Sequence, residues 1–275
     1  MVLSLVQTKH ILSSLGVCPN RKLGQNFLVD ARVVEKSLCW ADLSKGDVVV
    51  EIGSGCGTLT GSLCATGASV FAVEKDLAFY RYISDTYPIN VLHGDALAYP
   101  VGNFQLDRSY KVVANLPYAI ASVWLATLLN LPRLPEAMVL LVQKEAAERW
   151  FSKSGSKQFC ALGVALQAIY ALKDTLFVSK KCFYPQPKVD SLLVYMQKMS
   201  DGVVFSQPFK NFLRCLFLHR RQQIGRLCRE DHSQHGAALL AYLHDKNWDE
   251  KTRAEAIPLE VWLDFYKTNI ALFDV

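Results

Sequence analysis

Five short, almost continuous apolar runs punctuate the first half of the chain, at 48–52, 69–74, 91–93, 111–116 and 138–143. Each is the length of a strand and rich in Val, Leu or Ile. A strand with one solvated face alternates apolar and polar residues, whereas unbroken apolarity belongs to a strand covered on both faces. Segments with helical spacing separate the runs, at 58–65, 77–85, 122–130 and 144–151. This alternation predicts an α/β fold: a doubly wound parallel sheet, helices on both faces, and a ligand site at the carboxyl ends of the strands. Two later runs, 175–178 and 191–196, predict antiparallel strands at one edge.

The pattern changes near Met199-Ser200-Asp201-Gly202. Beyond it the spacing is helical, at 209–228, 236–244 and 259–269. The expected division is therefore an α/β domain with an N-terminal arm over 1–199 and a small all-helical domain over 200–275. On a helical wheel of 209–228, Phe209, Phe212, Leu213, Leu216, Ile224 and Leu227 share one face. Lys210, Arg214 and Arg221 share another. Arg220 falls within the apolar arc, where a charge needs a partner.

Composition narrows the class. With 275 residues, 51% apolar and 20% charged, the chain can bury a full core without staples. Its eight cysteines form no C-x-x-C pair, so they read as reduced thiols of a cytoplasmic protein. No apolar run reaches the ~18 residues of a membrane span. Residues 11–18 are too short for a secretory leader and are followed at once by Arg21 and Lys22, so they read as an amphipathic arm. The net charge is +5, unevenly spread. Residues 144–188 hold eight Lys or Arg against three acids, and 210–229 hold six and no acid. Such one-signed stretches suit phosphate, and equally an ordinary solvated face.

Two segments carry chemistry. Glu51-Ile52-Gly53-Ser54-Gly55-Cys56-Gly57 is a glycine turn directly after a strand, which lets bare backbone approach a ligand. Its G-x-G-x-G spacing departs from the dinucleotide fingerprint. Acids close three successive strands: Glu51, Glu74 and Asp95. Glu51 suits a cationic amino group, Glu74 a ribose diol and Asp95 an adenine amine. Together they favour a phosphate-free, amine-bearing nucleoside such as S-adenosylmethionine. The second segment, Asn115-Leu116-Pro117-Tyr118, ends the fourth strand. Two carbonyl-type acceptors there, the Asn115 amide and a backbone carbonyl near Leu116, suit an exocyclic amine, Pro117 stiffens the turn, and Tyr118 offers a stacking face.

With these motifs, and with Arg21-Lys-Leu-Gly-Gln-Asn-Phe-Leu28, Gln143-Lys-Glu145 and Phe183-Tyr-Pro-Gln-Pro-Lys-Val-Asp-Ser191, the chain resembles the KsgA-type ribosomal RNA small-subunit adenine dimethyltransferases. The resemblance implies a Rossmann-like class I methyltransferase sheet and a helical RNA-binding tail. It implies donor contacts at Asn26, Leu28, Gly53, Glu74, Asp95 and Asn115, to which the glycine turn adds Glu51 and Gly55. It also implies a target adenine stacked between Tyr118 and Phe183. The expected reaction is dimethylation of two adjacent adenines near the 3′ end of 16S rRNA, in the small subunit or its precursor, by a monomer. RNA contacts are expected from Lys188, Lys210, Arg214 and Arg221.

Phe159-Cys160, Gly163 and His219-Arg-Arg-Gln-Gln-Ile224 depart from that family's usual residues and bear on RNA-contact details. A large-subunit RNA methyltransferase and a non-catalytic assembly factor are the competing readings. His232 and His235 are better read as exposed loop residues than as metal ligands.

Overall fold

A computed structural model of the chain describes residues 2–20, 23–231 and 233–273; Arg21, Lys22 and His232 lie outside them. The elements run in the order α1 (Leu5–Ser14), β1 (Phe27–Leu28), α2 (Ala31–Ala41), β2 (Val48–Ile52), α3 (Thr58–Cys64), β3 (Ser69–Glu74), α4 (Leu77–Thr86), β4 (Asn90–His93), β5 (Lys111–Asn115), α5 (Ala121–Leu128), β6 (Ala137–Gln143), α6 (Lys144–Trp150), α7 (Ala161–Gln167), β7 (Tyr170–Val178), β8 (Phe183–Tyr184), β9 (Ser191–Lys198), α8 (Gln207–Leu218), α9 (Ile224–Glu230), α10 (Gln234–Asp245) and α11 (Leu259–Thr268).

Seven strands form one sheet in the order β4-β3-β2-β5-β6-β9-β7. The pairs β3–β4, β2–β3, β2–β5 and β5–β6 are parallel, and β9 joins β6 antiparallel, Gln143 opposite Ser191. Every residue of β2 and all but the last of β6 are buried, which is why their sequences show no alternation. Outlying β4 is half exposed. The order reverses between β2 and β5, so a crevice opens at their carboxyl ends. Beside this sheet, β1 and β8 pair antiparallel as a two-stranded ladder, Phe27 opposite Tyr184 and Leu28 opposite Phe183.

The N-terminal arm is a helix. Ser4 and Gln7 close a reciprocal capping box on α1, and Ile11 and Leu12 pack with Phe27, Cys56 and Phe79. The helix thus supports the segment that carries Phe27 and Leu28.

Two compact units result, and the division differs from the expected 1–199 and 200–275. One unit comprises 1–147 and 172–198; the other comprises 148–171 and 199–275. The second unit therefore draws on two stretches of chain. Val203 N–H donates to Ala168 C=O and Gly155 N–H to Glu255 C=O, ties that recruit the 148–171 stretch. Its centre is aromatic, with Phe209 4.8 Å from Tyr266 and 4.9 Å from Phe273 between ring centroids.

The single helix expected over 209–228 is two helices. Residues 219–223 leave the helix because the chain there pairs with 250–253: Ile224 N–H donates to Thr252 C=O and Gly225 N–H to Glu250 C=O. A Cβ on Gly225 would lie 2.8 Å from that of Glu250, so only glycine permits the approach. Ile224 and Leu227 are nonetheless buried. Arg220 is paired as anticipated, donating to Lys157 C=O and facing Glu255, but it sits at the surface.

Candidate active site

One cavity at the carboxyl ends of β2, β3 and β5 gathers residues from five separate stretches: 23–28, 51–59, 73–79, 94–96 and 115–120. It is lined by Asn26, Leu28, Glu51, Gly53, Gly55, Glu74, Asp95, Asn115, Leu116, Pro117 and Tyr118, all singled out by sequence. Phe183 does not line it. This ring is 2% exposed, packed among Leu28, Val178 and Leu193 and held opposite Leu28 in the β1–β8 ladder. The expected second stacking face is therefore withdrawn from the cavity, and Phe183 instead backs the Leu28 wall.

The glycine turn is built by backbone geometry. Gly53, Gly55 and Gly57 all have positive φ, at 75°, 51° and 85°. A Cβ on Gly55 would lie 3.0 Å from the Phe27 ring, and one on Gly57 2.6 Å from the Tyr87 ring. The turn is thus packed between two aromatics, its backbone turned to the cavity.

The three acids differ in environment. Glu51 is 1% exposed, accepts a 2.6 Å hydrogen bond from Thr60 Oγ1, and is pushed up to about 8 by burial. Glu74 is buried and raised for the same reason, although its two oxygens accept N–H bonds from Gly55 and Asp76 at 2.9 and 2.8 Å. Those bonds lock the carboxylate beneath the glycine turn. Asp95 is partly exposed and held below its ordinary value by Lys75, whose Nζ lies 2.7 Å from Oδ2; Leu97 N–H binds Oδ1. Lys75 went unnoticed in the sequence. Its only signal is its place between two acids of the site, Glu74 and Asp76.

The stretch from Leu23 to Leu28 lines one wall of the cavity and is fastened at three points. Gln25 Nε2 donates to Asp76 Oδ2 at 3.0 Å, β1 pairs with β8, and the Asn26 carbonyl accepts from Asn115 Nδ2 at 3.1 Å. The last contact fixes the catalytic candidate. Because a carbonyl can only accept, the Asn115 nitrogen must point at Asn26, and its oxygen is the atom left to face an amine. Pro117 is wedged against the same region: Cβ atoms added to Gly24 and Gly53 would meet it at 3.6 and 3.5 Å. Tyr118 hydroxyl lies 2.6 Å from Ser191 Oγ.

Of the expected RNA contacts, Lys188, Arg214 and Arg221 are exposed. Lys210 is half-buried, and burial lowers its ammonium to about 8. His235 is no exposed loop residue: it lies in α10, stacked 4.5 Å from Phe273, with Nε2 3.1 Å from Leu272 C=O. Among the described residues, no three His, Cys, Asp or Glu are grouped to hold a metal ion. None of the described helices is long and apolar enough to cross a membrane.

Comparison with known proteins bears on what this cavity belongs to. The family model described as ribosomal RNA adenine dimethylase matches residues 18–270. A ribosomal RNA small subunit methyltransferase A from Opitutus terrae is 44% identical over 270 residues, covering 95% of this chain and 97% of its own. A crystal structure of a dimethyladenosine transferase from Plasmodium falciparum superposes with a TM-score of 0.74 at 21% identity, covering 90% of this chain and 98% of that one. The 23S rRNA methyltransferase ErmE gives 0.64 at 20% identity, covering 91% and 100%, a likeness of fold alone. The match runs through the cavity-forming segments and across both compact units, and by it the chain belongs to the ribosomal RNA adenine dimethylase family.

Proposed function

We propose that the chain transfers methyl groups from S-adenosylmethionine to the N6 amines of two adjacent adenosines near the 3′ end of 16S rRNA. It acts as a cytoplasmic monomer on the small subunit or its precursor, with a part in subunit assembly. Support for the small-subunit target comes from the full-length similarity to a small-subunit methyltransferase. The observation that carries the chemistry is the Asn115 amide, its nitrogen committed to Asn26 and its oxygen left as an acceptor at the mouth of an acid-lined cavity.

The cavity fits the donor by its chemistry. Glu51 would hold an amino group, Glu74 a ribose diol and Asp95 an adenine amine, and among the described lining residues the one cation, Lys75, is paired with Asp95. When bound, the donor supplies an electrophilic methyl on a positively charged sulfur. The remaining work falls to the protein. An adenine amine is a weak nucleophile because its lone pair is shared with the ring. Asn115 Oδ1 and the Leu116 carbonyl hold its hydrogens, favouring a pyramidal nitrogen with its lone pair directed at the methyl. No base acts first, since the proton becomes acidic only as the new N–C bond forms, and it then leaves to water. Tyr118 holds the extruded base by stacking. Lys188, Arg214 and Arg221 hold phosphate.

The test is genetic and chemical. Ribosomal RNA from cells lacking the protein is mapped by mass spectrometry, then mapped again after complementation. We expect N6,N6-dimethyladenosine to disappear from the small-subunit RNA, to return with the wild-type chain, and to stay absent with Asn115→Ala. Undiminished dimethylation in the deletion strain refutes the assignment, and full activity of Asn115→Ala refutes the amine contact.

A further inference from the structure

Ser191 belongs to the last motif of the resemblance, yet it lies outside the cavity and no step above uses it. It opens β9, opposite Gln143, and is completely buried. A buried hydroxyl needs a partner, and this one has Tyr118 hydroxyl at 2.6 Å. Its position is itself fixed. The preceding residue, Asp190, accepts Lys144 N–H through its backbone carbonyl at 3.1 Å and Lys180 N–H through its carboxylate at 2.9 Å. The hydroxyl is thus held by the sheet, while Tyr118 follows the turn that starts at Asn115.

We infer that Ser191 is a positioning residue for the reaction: through its hydroxyl it pins the far end of the Tyr118 ring, presetting the plane on which the target base stacks. A phenol ring attached only at Cβ can swing about two side-chain torsions. Tethering its hydroxyl to a rigid strand removes that freedom before the substrate arrives. With Phe183 buried in the core, and Phe27 and Phe79 also buried, Tyr118 is the least buried aromatic of the cavity lining, three residues after Asn115, so its orientation sets the height and tilt of the amine. The inference rests on the methyltransfer reading above.

The experiment is a double-mutant cycle with wild type, Ser191→Ala, Tyr118→Phe and the double variant. It is read by single-turnover and steady-state methyl transfer to undermethylated small subunits, and by calorimetric binding of S-adenosylhomocysteine. Each single variant is expected to lose about threefold to tenfold in kcat, the worth of one hydrogen bond. KM for the subunit and the Kd for S-adenosylhomocysteine should stay unchanged, and the double variant should be no worse than the poorer single one. Additive losses, an unaltered kcat in Tyr118→Phe, or a matching loss of S-adenosylhomocysteine affinity each overturn it. Tyr118→Phe keeps the ring and leaves Ser191 in place, so the test survives even if Ser191→Ala fails to fold. A wild-type chain that transfers no methyl group overturns the underlying reading instead.

Discussion

Glu51 shows how one residue's surroundings set its chemistry. Fully buried and hydrogen-bonded only to neutral donors, its carboxyl keeps its proton up to about pH 8. A cationic amino group beside it needs the carboxylate, so binding releases a proton. The sign follows: below about pH 8 the ligand must displace that proton, and affinity rises with pH between about 6 and about 7.5. Calorimetry with S-adenosylhomocysteine in buffers of different ionisation enthalpy measures the release. Glu51→Gln is expected to abolish the slope, and an equal slope in both proteins would exclude Glu51 as the linked group. The acids and the Asn115 tetrapeptide were readable because each ends an apolar run, where an α/β sheet puts its ligand. Phe183 was misplaced for a physical reason. An aromatic beside a proline loop reads the same whether it faces a base or the core, and only the β1–β8 ladder, two residues long on each side, decides it. Gly163 has an account that the motif comparison lacked: a Cβ there would lie 3.0 Å from Trp150 C=O.

At the scale of elements, the parallel strands were legible to within a residue or two because burial on both faces leaves an unbroken apolar signature. Only the last four residues of β7 were read, since the stretch before them is exposed at Leu172, Lys173 and Asp174 and carries two charges. The α8–α9 break escaped because burial continues on the same face across it, and the tie to 250–253 has no local signature. The 23–28 stretch makes an element-level prediction. Gln25 joins it to Asp76, which independently caps α4 through Ala78 N–H. Replacing Gln25 with Leu removes the tie and leaves the cap. S-adenosylhomocysteine should then dissociate about threefold to tenfold faster in stopped-flow fluorescence, with the melting temperature little changed. An unchanged dissociation rate would show that the stretch is held in place without Gln25.

Across the whole molecule, the split between compact units was half visible. The composition shift near 199 marks one crossing, but the chain also changes unit between Ala147 and Glu148 inside α6, where helical spacing runs on without a pause. Within the second unit, Arg214, Arg220, Arg221, Arg226 and Arg229 are all exposed, and of these Arg220, Arg226 and Arg229 face Glu255, Glu230 and Glu250. Arg221→Glu should weaken RNA binding and lower the slope of log affinity against log salt by about 1 per lost phosphate contact, as measured by filter binding over a salt series. An identical slope would take this surface out of the RNA footprint.

The tether between Asn115 and the Asn26 carbonyl bears on dimethylation itself. An amide spun freely could offer either end to its guest; this one offers oxygen alone, suited to an amine with hydrogens still to give. After the first round the product keeps one such hydrogen, so the polar grip is halved just when a bulkier nitrogen must be turned a second time. Under the proposed stacking on Tyr118, what remains constant between rounds is that flat face, and the later methylation would lean on it more heavily than the earlier.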